Sequence, residues 1–412
     1  MNLSPVVIAI PMYFILMAIE MIALRFQKHP GYRLNDAITN INCGVISQVT
    51  GVFIKIFSIG IYTLIYEKLA VFHIPNNFWT FLLLFFLYDF CYYWAHRMSH
   101  EINLFWGGHV VHHSSEEYNL SVALRQSSTQ TIWTFFFYFP LALLGFDPVM
   151  LVLASGINLL YQFWIHTEAI DRMGFLEKFM NTPSHHRVHH GRNPKYIDKN
   201  HGGTFIIFDK WFGTFQEEEE KPTYGITTPV KSWNPVWVNL AHYANMKEEL
   251  KMIPHWSDRL KYLLYKPGWL PDYLGGYRAP QEIENDYKKF DTVVPSSMNW
   301  YVFAQYILVL LLTGFFLFKV EGFSWLPKIL VSAIIIWTTV SFSGIFEKRS
   351  WYLPQEVFRI LAFTGIIFFL IQSLLPLSIL VGALGIYCLT SFFWLWKNQQ
   401  LKSQISPISL KS

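Results

Sequence analysis

Apolar segments long enough to cross a lipid bilayer recur along this chain, and they restrict its fold more than any other feature. A membrane-spanning helix needs about 20 mainly apolar residues. Only 15% of the 412 residues are charged, whereas a soluble domain carries about 25%. We therefore predict an all-α fold, a polytopic integral membrane helical bundle. The long candidate segments are residues 5–24, 41–66, 78–95, 300–318, 328–346, 355–374 and 376–396.

Two further apolar arms, residues 127–143 and 148–165, are separated by a Gly-Phe-Asp-Pro turn and predict a membrane hairpin. The long polar stretch that follows, residues 167–299, predicts a cap outside the bilayer. Within it we expect a strand or hairpin at 203–215, and we expect 230–275, which is rich in tryptophan, to lie along the headgroup surface.

These segments predict three parts. Residues 1–75 form N-terminal membrane helices, 76–290 form a catalytic domain with the hairpin and the cap, and 291–412 form a C-terminal membrane bundle. Basic residues in short loops favour the cytosolic side. They predict a cytosolic cap, in the endoplasmic reticulum of a eukaryote or the inner membrane of a bacterium. The loop residues concerned are Arg25, Lys28, Arg33, Lys348, Arg349, Lys397 and Lys402.

Ten of the fifteen histidines fall between residues 96 and 190, in three clusters plus one isolated position. Within each cluster the spacing is three or four residues, which places side chains on one face of a helix. Imidazole is the commonest metal ligand among side chains. The clustered positions are His96 and His100; His109, His112 and His113; and His185, His186, His189 and His190.

So many imidazoles exceed the needs of a single zinc ion, which takes four protein ligands in a structural site and three in a catalytic one. His166 adds a further candidate at the end of the second hairpin arm. The number predicts two metal ions in one site, just outside the hydrocarbon. Imidazole suits zinc, copper, iron and nickel, and among lipid chemistries the activation of dioxygen is the one that requires an iron pair.

Three carboxylates near these clusters are candidate catalytic groups. Asp89 lies inside an apolar segment, where an ionisable residue is functional by default. Glu101 directly follows the first cluster, and Glu168 follows His166 by two residues. We predict that they orient imidazole N–H groups or relay protons.

The formal net charge of +4 is small, and no basic patch interleaved with aromatic residues is present, so we expect no nucleic-acid partner. The three cysteines, Cys43, Cys91 and Cys388, all lie in apolar stretches. Their positions predict small buried thiols rather than a disulfide framework.

The three histidine clusters, divided by a membrane hairpin, resemble those of the fatty acid hydroxylase/sterol desaturase superfamily. The runs around them are similar to its alkylglycerol monooxygenase branch. Those runs are residues 88–101, 112–126, 163–168, 181–193 and 256–271.

The resemblance implies a non-haem centre of two iron ions, O2 as a substrate, and oxidation of a lipid C–H bond next to an ether oxygen. It implies tetrahydrobiopterin as the electron source and Glu101 as the motif's carboxylate. His185 is an extra neighbour, and His201 stands where an aromatic residue is expected. The implied metal ligands are His96, His100, His109, His112, His113, His166, His186, His189 and His190.

Two alternatives remain open from the sequence. A sterol or fatty-acid desaturase or hydroxylase would use the same metal frame with an external electron-transfer protein, because no fused haem- or flavin-binding segment is recognisable. A membrane metal transporter would also carry histidines, although it would need polar residues along a transmembrane path. For the monooxygenase hypothesis and for the desaturase or hydroxylase alternative, the expected partners are a membrane lipid substrate and an external reductant.

Overall fold

The computed structural model describes residues 8–29, 31–281 and 287–405, with the side chains of 400–405 left aside. Within these ranges the chain is helical. Its only extended pairings there are two isolated bridges, Met180 with Phe205 and Gly191 with Tyr224. The prediction of an all-α fold is confirmed.

Two compact units are present. The first comprises the chain up to Lys231 together with Val236–Phe290, and the second comprises Ser232–Pro235 together with the chain from Asp291. The predicted boundary at residues 75 and 76 falls inside the first unit and stays a prediction.

The first unit begins with three long helices and carries the shorter helices of the cap. The long ones are α1 (Ile10–Phe26), α2 (Leu34–Leu69) and α3 (Phe78–Glu101), followed by α4 (Asn103–His113), α5 (Leu120–Ala123), α6 (Gln130–Thr134), α7 (Phe139–Leu144), α8 (Pro148–Trp164), α9 (Pro183–His190), α10 (Ile207–Phe212), α11 (Pro235–Met252) and α12 (Trp256–Leu264).

Six helices of the described chain are long and apolar enough to cross a membrane: α2, α3 and the four helices of the second unit. Integral membrane attachment is therefore confirmed. The predicted span at 5–24 corresponds to α1, which has 17 residues and is not among the six. Residues 5–7 lie outside the described residues, so this span stays a prediction.

The predicted hairpin is present, but its first arm is broken. α6 passes through a 3₁₀ turn into α7, which carries Pro140 near its start, whereas α8 is one continuous helix. Gly145 makes the turn with φ +98°, and a Cβ there would clash with the carbonyl oxygen of Phe72. Asp147 caps α8 by accepting a hydrogen bond of 2.7 Å from the Val149 N–H.

The predicted strand at 203–215 is wrong, because these residues contain the helix α10. The apolar residues of this stretch lie on a helix that buries its Phe208 side. Gly213 ends the helix in the left-handed conformation. Asp209 holds the preceding loop by accepting N–H groups from His201 and Gly202, each at 2.7 Å.

The second unit contains four helices: α13 (Ser296–Lys319), α14 (Trp325–Phe346), α15 (Tyr352–Ile371) and α16 (Leu377–Ile405). Arg359 and Glu356, one turn apart on α15, form an ion pair that is 1% and 0% exposed. Tyr301 on α13 donates to Glu356 at 2.6 Å, and Gln305 accepts from Arg359 at 2.9 Å. These contacts satisfy charges that the membrane cannot solvate.

Candidate metal centre

Four elements of the first unit bring the histidines to one level. The C-terminal end of the span α3 carries His96 and His100, and α4 carries the second cluster. His166 lies two residues beyond α8, and α9 carries the third cluster. Each cluster is helical, as its spacing predicted. All of these imidazoles are buried.

Five imidazoles form one group that could hold a metal ion, with their ligand atoms within 4.8 Å of one another. The Nε2 atom of His109 lies 2.8 Å from that of His96 and 3.0 Å from that of His113. We call this the five-histidine group: His96, His100, His109, His113 and His189.

Four further imidazoles form a second group of the same kind. The Nε2 atom of His166 lies 3.1 Å from that of His112 and 3.0 Å from that of His186. We call this the four-histidine group: His112, His166, His186 and His190.

The two groups adjoin. The ring of His190 lies 4.4 Å, centroid to centroid, from the ring of His113 in the other group, and the His109 and His112 rings are 5.6 Å apart. Nine imidazoles that are widely separated in sequence therefore share one buried pocket. A pocket with two such groups suits a pair of metal ions.

Main-chain carbonyl groups fix the orientation of four of these rings. In each case Nδ1 carries the proton and donates it, which leaves Nε2 free to bind a metal. The acceptors are the carbonyl oxygens of His201 for His96 at 2.7 Å, Arg125 for His112 at 3.1 Å, Gln162 for His166 at 2.7 Å, and Lys199 for His189 at 2.9 Å.

The spacing of the ligand atoms fits bound metal ions. With metal–nitrogen bonds of about 2.1 Å, two ligands at a right angle lie about 3.0 Å apart, and two tetrahedral ligands about 3.4 Å. The observed 2.8–3.1 Å between neighbouring Nε2 atoms matches two ligands of one ion at a right angle. In addition, the Nε2 atoms of His100, His189 and His190 are buried and have no hydrogen-bond partner among the described residues. A metal ion would satisfy them.

The pocket keeps its imidazoles neutral, the protonation state that a metal requires. Burial lowers the pKa of His112 to about 4 and that of His189 to about 3. Protonation of either ring would bury a positive charge, and neither ring has a carboxylate partner of its own among the described residues. Near neutral pH both rings are therefore ready to bind a cation.

Asp89 lies outside both groups and is fully buried. Its carboxylate accepts the N–H groups of Thr204 at 2.9 Å and Phe205 at 2.8 Å, and the side-chain amide of Asn158 at 2.6 Å. These bonds hold the loop that supplies the His201 carbonyl. The geometry favours a positioning role for Asp89, acting through that loop on His96.

Glu101 is partly exposed and pairs with Arg97 at 3.0 Å, one turn earlier on α3. Glu168 lies 2.8 Å from His29 Nε2 and accepts a hydrogen bond of 3.1 Å from Tyr224. Among the described residues, neither carboxylate contacts an imidazole of the two groups. Their catalytic roles stay predictions.

His185 and His201, left open by the sequence, lie outside both groups. The His185 ring faces Phe215, with centroids 5.4 Å apart. The His201 ring is fully buried beside the five-histidine group, 5.0 Å from His100 and 5.6 Å from His96. Its main-chain carbonyl, rather than its ring, contacts a ligand, and sequence reasoning had no signal for that contact.

A cavity of about 900 Å³ opens beside the metal centre. Four histidines from the two groups line it: His100, His113, His189 and His190. Trp106 and Val110 give its inner wall an apolar surface, and Lys266 lies at an exposed position of its lining. The volume suits a lipid-sized substrate.

Paired all-histidine groups at the end of a membrane span define the class of protein as a membrane metalloenzyme of the fatty acid hydroxylase type. Residues 81–214, which include both groups, match the Fatty acid hydroxylase family model. No solved structure matches the chain.

Comparison with curated relatives narrows the class. The chain is 38% identical to the alkylglycerol monooxygenase of Homo sapiens, over 86% of this chain and 80% of the relative. Identity to the alkylglycerol monooxygenases of Xenopus tropicalis and Danio rerio is also 38%, over 85% and 84% of this chain and 79% of each relative. The chain belongs to the alkylglycerol monooxygenase family and is an oxygen-dependent oxidoreductase of membranes.

Proposed function

We propose that this protein is a di-iron monooxygenase that hydroxylates the carbon next to the ether oxygen of alkylglycerol-type lipids. The observation that carries the proposal is the pair of adjoining groups, five and four neutral imidazoles, that open on one cavity. Family membership supports the ether-lipid substrate, since the named relatives are alkylglycerol monooxygenases.

The nine ligands are the histidines of the two groups, and iron is the metal that we assign to them. Zinc is redox-inactive and prefers four ligands in a tetrahedron, whereas oxidation of a C–H bond requires a metal that changes oxidation state. When bound, the iron pair supplies the activation of O2 and the oxidation itself.

The reaction balances with one external reductant. One oxygen atom of O2 enters the lipid C–H bond as a hydroxyl group, and the other leaves as water after taking up two electrons and two protons. The hydroxylated carbon is then a hemiacetal, which breaks to a fatty aldehyde and a free glycerol hydroxyl. We propose tetrahydrobiopterin as the donor of the two electrons.

The protein's own residues position the substrate. The apolar wall at Trp106 and Val110 suits the first carbons of an alkyl chain, and the ligand rings of His100 and His113 lie in the same lining. This arrangement would hold the ether-proximal carbon near the metal pair. Positioning of this kind contributes much of the catalytic effect in enzymes.

We further propose that the metal centre faces the cytosol, because the loops richest in Lys and Arg lie on the same side in the topology inferred from the sequence. A desaturase or hydroxylase fed by an electron-transfer protein is the second candidate, since the same histidine frame serves both. A metal transporter is disfavoured because the nine imidazoles gather at one level instead of along a path.

The proposal is tested with protein purified in detergent. Elemental analysis should give about two iron ions per chain, and labelled alkylglycerol should release fatty aldehyde when tetrahydrobiopterin is supplied. His189→Ala should lose bound iron and turnover, whereas His255→Ala, at an exposed position outside both groups, should keep both. Turnover with cytochrome b5 or ferredoxin alone would favour the second candidate. Absence of stoichiometric iron in the active protein would refute the assignment.

A further inference from the structure

Helix α12 carries an apolar stripe that no part of the described chain covers. Trp256, Leu260 and Leu264 are four residues apart and therefore share one face, and they are 70%, 43% and 54% exposed. Tyr262, on the opposite face, is only 2% exposed. One face of the helix, that of Tyr262, therefore packs into its own unit, and the apolar stripe on the opposite face points away from that unit.

The position of α12 places this stripe at the membrane boundary. Asn103 lies two residues beyond the end of the span α3. Its side-chain amide donates to the carbonyl oxygen of Tyr262 at 3.1 Å, and its main-chain N–H donates to that of Tyr265 at 2.9 Å. The C-terminal end of α12 is therefore fixed beside the end of α3, on the side where that span leaves the hydrocarbon.

The composition around the stripe suits a lipid headgroup layer. Met252 and Tyr265 are exposed just before and after α12, and Lys251 and Lys261 are exposed on its flank. Tryptophan and tyrosine are enriched at this depth of a bilayer, and the two lysines pair with Glu248 and Asp258, which gives the flank the mixed charge of an interface. A surface of this kind is typical of a helix that lies in the interface plane.

The same helix is a wall of the cavity beside the metal centre. Tyr262 lines the cavity from α12, and His100 lines it from the end of α3. Lys266, two residues beyond the end of α12, lines it as well. Lys266 and Tyr277, both exposed, also belong to the lining and mark where the cavity meets the surface. The stripe and the opening are therefore parts of one local structure.

We propose that α12 lies in the headgroup layer of the leaflet next to the metal centre, with Trp256, Leu260 and Leu264 inserted at the boundary of the acyl chains. The cavity opening is thereby held against the leaflet, and a lipid passes from the bilayer to the metal centre without crossing water. The second step rests on the proposed lipid-oxidising function; the insertion of α12 does not.

Insertion is tested by spin labelling in phosphatidylcholine/phosphatidylglycerol vesicles. Cys43 and Cys91 are buried, so Cys388→Ala gives a background without an accessible thiol. A label at Leu260→Cys should collide more often with O2 than with a water-soluble nickel chelate. A label at Glu219→Cys, in the acidic run, should show the reverse. A water-accessible label at Leu260 would overturn the proposal, whatever the activity of the protein.

Lipid entry is tested with the double variant Leu260→Ser/Leu264→Ser and the matched control Ser257→Ala on the same helix. Loss of two exposed apolar side chains from the inserted stripe should raise the half-saturating mole fraction of a long-chain alkylglycerol in vesicles about tenfold. Turnover of a water-soluble short-chain alkylglycerol should be unchanged. Equal loss on both substrates would overturn the entry role. Failure of the wild type on both substrates would instead refute the proposed function and leave the labelling result standing.

Discussion

His96 donates a hydrogen bond of 2.7 Å from Nδ1 to the main-chain carbonyl oxygen of His201, 105 positions later in the chain. Two carboxylates hold the loop that presents this carbonyl. Asp209 accepts the N–H groups of His201 and Gly202, and Asp89 accepts those of Thr204 and Phe205. The geometry of the five-histidine group thus depends on a loop outside the three clusters.

Asp89→Asn should weaken this support. Asparagine has the shape of aspartate but offers one acceptor oxygen, so it cannot accept the N–H groups of Thr204 and Phe205 and also the amide of Asn158. Loss of a hydrogen bond to a charged group costs about 2 kcal/mol. We expect the free energy of unfolding of the variant to fall by that amount and its iron content to fall as well. Asp147→Asn is the control, because Asn caps a helix as well as Asp does. Wild-type iron content in Asp89→Asn would contradict the positioning role.

His201→Phe should keep both metal ions. The ring is fully buried, and neither of its nitrogens has a hydrogen-bond partner among the described residues. An apolar ring of similar shape removes these unsatisfied atoms, so stability should be unchanged or higher by about 1 kcal/mol. Elemental analysis and thermal unfolding measure the two quantities, with His96→Phe as the variant that should lose iron. Iron loss in His201→Phe would show that this ring is a ligand.

Glu101→Gln should retain metal and lose most of the activity. Glutamine can still accept the hydrogen bond from Arg97, so the end of α3 should keep its structure, but it cannot take up or release a proton. A partly exposed pair of this kind contributes only about 0.5 kcal/mol to stability. Iron content, thermal unfolding and turnover are measured on one preparation. Wild-type turnover would mean that Glu101 is a bystander.

His242 should make the protein less stable in acid. Burial lowers its pKa to about 4, from about 6.5 in an unfolded chain. Between these values the unfolded state binds a proton that the folded state does not, so stability is full above pH 6.5 and falls as the pH drops. The slope is about 1 kcal/mol per pH unit.

The measurement is the free energy of unfolding of metal-free protein in mixed micelles between pH 5 and pH 7. His242→Gln should reduce the pH dependence by that slope, because glutamine can keep a hydrogen bond to Asn103, which lies 2.9 Å from His242 Nε2. His73→Gln, at an exposed position, should leave the pH dependence of the free energy of unfolding unchanged. An unaltered slope in His242→Gln would contradict the assignment.

Arg359→Met should destabilise the second unit by about 3 kcal/mol, because it leaves Glu356 buried without its cation. The double variant Glu356→Gln/Arg359→Met should recover most of that loss, since no uncompensated charge remains. Thermal unfolding of the two single variants and the double variant gives the coupling between the residues. Additive losses would show that the two charges act independently.

The helical placement of the histidine clusters was predictable because a spacing of three or four residues has one meaning on a helix. The number of imidazoles also predicted two metal positions. The sequence could not show which histidines share a group, since His189 and His190 are neighbours yet belong to different groups. Adjacent residues on a helix point about 100° apart, and only the packed structure fixes what each one faces.

Other features depend on main-chain contacts between distant segments. The carbonyl groups of Arg125, Gln162 and Lys199 orient ligand rings, and a carbonyl group is the same whatever the residue that carries it. The error at 203–215 has a related cause, because buried contacts of Phe208 and Asp209 override a weak alternation of apolar residues. Hydropathy and spacing do not report such contacts.

The unequal size of the two histidine groups has a consequence for assembly of the holoenzyme. On the proposed metal assignment, an ion with five imidazole donors would be held more tightly than an ion with four, so the two ions should enter in order, the five-histidine group first. A chain carrying a single ion would then be a defined half-assembled species rather than a random mixture. The vacancy in that species would lie on the His166 side, where the hairpin meets the cap.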